Sequence, residues 1–181
     1  MSEFSSKSDS PGSHVFSLTQ IRHLMRVEFG RAQRYDYPLS CVVVACDRLD
    51  HLRDLYGYSL KESVVEDVVE LLRGSTRNCD YLGRLLDDRL MAILPHTDHM
   101  GAKTACARLL KAARRLSFEG GGNPIRITLS VGLATYADGN TMFFDSLVGS
   151  AESAHARAAK AGGDRLEVGD PSPASKIPDG D

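Results

Sequence analysis

Arg77-Asn78-Cys79-Asp80-Tyr81-Leu82-Gly83-Arg84-Leu85-Leu86-Asp87-Asp88-Arg89-Leu90, running on into Met91-Ala92-Ile93-Leu94-Pro95, is the stretch whose reading decides the fold. Two short apolar runs flank Asp87-Asp88, a pattern that predicts a strand, a tight charged turn and a second strand. Arg77 and Asp80 stand three residues apart just ahead of the first strand. A tip carrying two carboxylates and an arginine does chemistry, binds something polar, or is a solvated turn. The rest of the chain has to choose among these.

Upstream, Leu39 to Ala45 is a continuous apolar run rich in β-branched residues, which predicts a central strand buried on both faces. Before it, Ile21, Leu24, Met25, Phe29 and Ala32 fall on one helical face, with Ser17 or Thr19 as cap and an end before Pro38. After it come a short helix over Leu49 to Tyr56, ended by Gly57, and a long one carrying Val64, Val65, Val68, Leu71 and Leu72 inward, with Ser59 as its cap. Downstream, a helix is predicted from about His99 to Leu116 and a loop at Gly120-Gly121-Gly122-Asn123-Pro124. One strand is expected from Ile125 to Thr135, then a last helix from Phe144 to Ala161 and a closing strand over Arg165 to Val168. This order predicts an α/β (α+β) sandwich, a ferredoxin-like palm with helices over a mostly antiparallel sheet.

The bulk composition fits one soluble domain: 42% of the 181 residues are hydrophobic and 25% charged. Residues 1–14 read as a flexible head, 15–168 as the domain and 169–181 as a disordered tail. A net charge of −2 argues against a nucleic-acid or membrane partner. Cys41, Cys46, Cys79 and Cys106 show no metal spacing, and free thiols point to a reducing cytoplasm. The six histidines do not cluster, and Asp47, Asp87 and Asp88 alone read as a solvated acidic patch.

Laid out in this order, the motifs resemble the GGDEF family, the diguanylate cyclase domain, over roughly residues 17–168. Leu86-Asp87-Asp88-Arg89-Leu90 stands where that family carries Gly-Gly-Asp/Glu-Glu-Phe. Ala45-Cys46-Asp47 stands for its Asp-Ile-Asp, and Tyr56-Gly57-Tyr58 resembles its Tyr-Gly-His. Leu129-Ser130-Val131-Gly132 resembles its Ser-Ile-Gly strand and Ala151-Glu152-Ser153-Ala154 its Ala-Asp-x-Ala. The resemblance implies the nucleotidyl-cyclase-like palm.

It also implies which positions have changed. The family's first metal-holding Asp is Ala45, so of that pair only Asp88 keeps a carboxylate. The acid that helps deprotonate the attacking hydroxyl is Arg89, a permanent cation. Leu86 and Asp87 replace the two glycines and Leu90 the phenylalanine. The guanine-reading Asn and Asp correspond to Arg53 and Glu62, and the phosphate-facing Lys to Asp50. The late Lys and Arg fall on Ala159 and Gly163. On this reading the chain is not an enzyme, and no cofactor and no Mg²⁺ are expected.

What the resemblance leaves standing is the family's inhibitory site, an Arg-x-x-Asp five residues before the signature, which binds the product cyclic di-GMP. Arg77-Asn78-Cys79-Asp80 matches it, with Arg108 in the place of a further arginine on the following helix. A guanidinium fork donates to guanine O6 and N7, and a carboxylate accepts from N1 and N2. The expectation is therefore an inactive GGDEF domain acting as a cyclic di-GMP receptor, with a protein partner and a ligand-bridged homodimer. A surface salt bridge, a plain interaction scaffold and a residual GTP-binding module are the alternatives.

Overall fold

The computed structural model describes residues 15–171. The head at 1–14 and most of the tail, from residue 172 on, lie outside the described residues.

Two residues form β1 (Val15–Phe16), and Ser17 then starts α1 (Leu18–Tyr35). The Ser17 side chain accepts from the Gln20 amide at 3.4 Å, and the Gln20 side chain accepts from the Ser17 amide at 2.9 Å. That reciprocal pair satisfies two of the helix's orphan donors. Next come β2 (Leu39–Cys46), α2 (Leu49–Tyr56) and α3 (Tyr58–Ser75). The hairpin β3 (Tyr81–Arg84) and β4 (Leu90–Pro95) leads into α4 (His99–Ala113), capped by Asp98 through the Gly101 amide at 2.7 Å. A small hairpin, β5 (Ser117–Gly120) and β6 (Asn123–Arg126), precedes β7 (Leu129–Tyr136), α5 (Phe144–Lys160) and β8 (Arg165–Gly169).

Six strands make one mixed sheet in the order β1-β3-β4-β2-β7-β8. Its centre is antiparallel, and the two outer pairs, β1–β3 and β7–β8, are parallel. Both faces are covered, which is why β2 is apolar but for the buried, hydrogen-bonded Ser40 rather than alternating. Val42 and Val44 join the side chains of α3 and α4 on one face. Cys41 and Val43 join those of α1 and α5 on the other. The mixed sheet flanked by helices is the α+β palm expected from the sequence.

Several local expectations shift. Gly57 rather than Ser59 precedes α3, with no side-chain cap. The glycine loop is the tip of the β5–β6 hairpin, with Gly121 and Gly122 at φ +59° and +81°, the left-handed pair that a tight two-residue turn demands. Ile125 to Thr135 is two strands in two sheets, because the chain leaves the small hairpin after Arg126 and enters the main sheet at Leu129. The closing strand runs through Gly169, one residue into the segment read as tail, and the Asp170 carbonyl accepts from Ser150 Oγ at 2.7 Å.

Candidate functional site

The β3–β4 connection puts Asp87 and Asp88 at its tip, both at φ +58°. The Arg89 amide donates to Leu86 O at 3.3 Å and the Leu85 amide to Arg89 O at 2.7 Å. This is the left-handed two-residue turn that matches the twist of paired strands, and aspartate tolerates it better than most side chains. Leu86 is exposed beside it, while Leu90 turns into the core at 2% exposure.

The carboxylates around this tip are held by protein groups. Asp88 pairs with Lys61 Nζ of α3 at 2.6 Å, and that lysine side chain is only 13% exposed. Asp47, just past β2, accepts from Thr128 Oγ1 at 2.7 Å, from Ser130 Oγ at 2.5 Å and from the Asp164 amide at 2.9 Å. Its own amide donates to Thr128 O at 2.9 Å. Gly163 makes room for it, since a Cβ there would run into the Asp47 carboxylate. Asp47 therefore ties the end of β2 to the start of β7 and to the α5–β8 turn.

A cleft of about 480 Å³ opens over these groups, lined by Ala45, Asp47, Arg48, Asp87, Arg89 and His155 among others. Arg89 lies 3.6 Å from Glu152 of α5. His155 is 8% exposed, and its Nε2 has no hydrogen-bond partner among the described residues. Burial, and then the Arg89 charge, hold its pKa below the usual histidine value. Glu62 is exposed and borders a separate small hollow with Lys61, Arg84 and Asp88. Arg53 is engaged on α2 by Asp50 at 3.0 Å and Asp54 at 2.9 Å. The fold thus gathers Ala45, Asp47, Asp87 and Arg89, puts Asp88 and Glu62 around the neighbouring hollow, and leaves Arg53 paired on its own helix.

The residues present do not fit the divalent metals that the family resemblance implies. Ala45 offers no side-chain oxygen, both Asp47 oxygens accept hydrogen bonds, and Asp88 is paired with the Lys61 ammonium. No group of three or more His, Cys, Asp or Glu among the described residues is arranged to hold a metal ion.

At the other end of β3, Arg77 to Asp80 form a turn of their own. The Arg77 amide donates to Asp80 Oδ2 at 2.7 Å, and the Asp80 amide to Arg77 O at 3.0 Å. Arg77 is exposed and its guanidinium makes no ion pair among the described residues. Asp80 is half-buried, and burial raises its pKa against the opposing pull of the Arg77 amide and charge. Arg108 stands exposed on α4, whose helix packs beside α3.

Sequence reasoning passed over Lys61 and His155, yet both carried a signal. Lys61 shares helical spacing with the buried Val64, Val65 and Val68, and His155 with Ala151 and Ala158. A polar residue at an inward-facing position announces a partner or a cleft.

The family described as diguanylate cyclase, GGDEF domain, matches residues 14–165. Diguanylate cyclase A of Treponema denticola is 26% identical over 123 residues, 68% of this chain but 33% of the relative. The chain therefore spans about a third of that protein's length. The active GGEEF domain of a Vibrio cholerae diguanylate cyclase superposes with a TM-score of 0.79 at 18% identity, covering 86% of this chain and 97% of that one. The GGDEF domain of DgcB from Caulobacter crescentus, solved in complex with c-di-GMP, gives 0.80 at 14% identity, covering 93% and 96%. These findings correct the expectation that the chain is no enzyme: its matches are named diguanylate cyclases, one of them described as active. Among the described residues no helix is long and apolar enough to cross a membrane.

Proposed function

Since the chain belongs to the GGDEF domain family of diguanylate cyclases, we propose that it binds cyclic di-GMP at the Arg77–Asp80 turn and acts as a receptor whose protein associations change with the ligand. One observation carries this reading: an exposed guanidinium without an ion-pair partner among the described residues stands beside a carboxylate fixed by its own turn. Asp80 uses Oδ2 for the Arg77 amide and takes only the Cys79 thiol, at 3.9 Å, on Oδ1, which keeps acceptor capacity there for a guanine edge, while Arg77 donates to O6 and N7. Arg108, exposed on α4, adds a donor for phosphate from the same chain or from a second copy bridged by the ligand. The solved complex of the DgcB domain with c-di-GMP supports the choice of ligand.

The names of the relatives favour a second reading, cyclase activity in the cleft beside the hairpin tip. At that tip, turnover requires Lys61 to give up Asp88. Calorimetric titration with cyclic di-GMP, alongside incubation with GTP and Mg²⁺, tests both readings. The receptor reading expects micromolar binding that weakens roughly tenfold or more in Arg77→Ala, which is about 1.4 kcal/mol. Unchanged binding in that variant overturns it, and formation of cyclic di-GMP from GTP establishes the second.

A further inference from the structure

α3 and α4 lie side by side over one face of the sheet, sharing a core through Val64, Val68 and Leu72 of the first and Ala102, Cys106 and Leu109 of the second. Their outward faces carry opposite charge. On α3, Glu62, Glu66, Asp67 and Glu70 are exposed at helical spacing. The cations of that helix are already spent, Lys61 on Asp88 and Arg73 on Glu70. Arg84 borders Glu62 and Glu66 from β3 without an ion pair among the described residues. On α4 and just past its end, Lys103, Arg108, Lys111, Arg114 and Arg115 are exposed, and no carboxylate occurs from His99 to Arg115. Of these cations only Arg114 is paired among the described residues, with Asp164 at 2.8 Å.

Like charges four residues apart repel along a helix. Glu62, Glu66 and Glu70 form one such row, and Lys111 with Arg115 another, so neither helix gains from its own pattern. The gain lies in a facing surface of opposite sign, and the strand order fixes how that surface must run. β2 and β3 are both antiparallel to β4, so α3, which returns the chain between them, runs against β2. β4 and β7 are both antiparallel to β2, so α4 runs along β2. The two helices are therefore antiparallel neighbours, with Glu62 and Glu66 toward the same end of the sheet as Lys111 and Arg115. A polyanion laid over both helices would meet the α3 carboxylates beside the α4 cations. The occupant has to carry both signs in adjacent stripes, and this chain does so itself.

We propose that the α3–α4 face docks a second copy of this chain about a two-fold axis that runs between the helices and along them. That rotation brings α3 of each copy over α4 of the other and keeps each end of the sheet level with itself. Glu66 and Asp67 then meet Lys111 and Arg115 in both halves of the contact. A two-fold across the helices would set like stripe on like stripe, and the same charges reject it. The contact is built from exposed pairs, each weak alone and screened by salt, so the dimer forms and dissolves with ionic strength. It needs no nucleotide, since Arg77, Asp80 and Arg108 are not counted in it.

Sedimentation velocity on the full chain, without cyclic di-GMP, at about 20 and about 500 mM NaCl tests it. The variants are Glu66→Lys/Asp67→Lys, Lys111→Glu/Arg115→Glu and Arg77→Ala, with thermal melts to establish that each is folded. All the reversed side chains are exposed, so the changes spare the core. The wild type and Arg77→Ala should dimerise at low salt and dissociate at high salt. Each double reversal gives a chain whose two stripes share one sign, and its self-association should weaken tenfold or more. Mixing the two reversed proteins should restore a dimer, because a copy with two basic stripes complements a copy with two acidic ones. A wild type that stays monomeric at low salt and roughly 100 µM overturns the proposal, in favour of a nucleic acid if it shifts a duplex oligonucleotide. A dimer untouched by either reversal, or reversed proteins that fail to pair when mixed, also overturns it. Association that appears only with added cyclic di-GMP, or is lost in Arg77→Ala, is a ligand-bridged dimer and sinks this one while leaving the receptor reading intact.

Discussion

At one end of β3, Asp88 is paired with Lys61 and Asp47 is held by Thr128, Ser130 and the Asp164 amide. At the other end, Arg77 reaches solvent with no ion pair among the described residues, and Asp80 is steadied by the Arg77 amide on Oδ2 and the Cys79 thiol 3.9 Å from Oδ1. The strand between them is four residues long, so both clusters share one rigid support. The contrast separates charges that hold the fold together from charges left available to a ligand. A carboxylate whose lone pairs are filled by protein donors stabilises and is poorly placed to bind. One that accepts only an amide and a thiol at 3.9 Å keeps lone pairs for a guest.

The contrast is most exposed at Asp47. Removing a carboxylate that accepts from two hydroxyls and an amide breaks several charge-assisted bonds and unties β2 from β7 and from the α5–β8 turn. Asp47→Ala should cost about 3 kcal/mol in urea unfolding. A loss below about 0.5 kcal/mol would mean that the hydroxyls and the amide find water at no cost, and that this end is not structurally committed.

His155 gives a smaller effect with a defined pH window. Its folded pKa lies below the usual 6.5 because of burial and Arg89, against the opposing influence of Asp47 and Glu152. The unfolded chain therefore takes up a proton first as pH falls, so stability is complete above about 6.5 and declines as pH drops through the folded value. His155→Leu should flatten this decline, gaining about 1 kcal/mol relative to wild type at pH 5 and little at pH 7.5. Parallel pH dependence in the two proteins would show that the imidazole protonates freely in the cleft.

Much of this arrangement was legible from the chain. The double-sided core position of β2 follows from an apolar run interrupted only by Ser40, and the hairpin from two runs around Asp87-Asp88. Two residues are too few for any period to show, which hid β1. Alternation through Ile125, Ile127 and Leu129 continues across the point where the chain changes sheets, so the pattern could not reveal the break between β6 and β7. The site was readable one residue at a time but not as a network. Thr128, Ser130 and Asp164 reach Asp47 only because β7 runs antiparallel to β2 and parallel to β8, and no local spacing encodes that register.

Lys61 tests whether the occupied end is a lock. The pair with Asp88 is partly exposed, 13% and 35%, so Lys61→Ala should cost only about 0.5 kcal/mol in stability. Its effect on cations is the sharper readout. Mn²⁺ should leave the wild-type melting midpoint unchanged and raise that of Ala45→Asp/Lys61→Ala, which adds a carboxylate near the end of β2 and frees Asp88 of the ammonium. A wild-type midpoint that rises with Mn²⁺ as much as the double variant's would show that Lys61 does not guard Asp88.

Arg77 carries the smallest stability effect and the most decisive one. Its side chain touches solvent, and the turn beside it is closed by main-chain amides that survive truncation at Cβ. Arg77→Ala should therefore move the unfolding free energy by less than about 0.5 kcal/mol while abolishing most of the affinity for cyclic di-GMP. The receptor reading thus expects stability and binding to be uncoupled at this end of β3. Urea unfolding and calorimetry on the same preparation measure both quantities together. If Arg77→Ala unfolds as readily as Asp47→Ala, the guanidinium is a structural group after all, and the two ends of the strand do the same work.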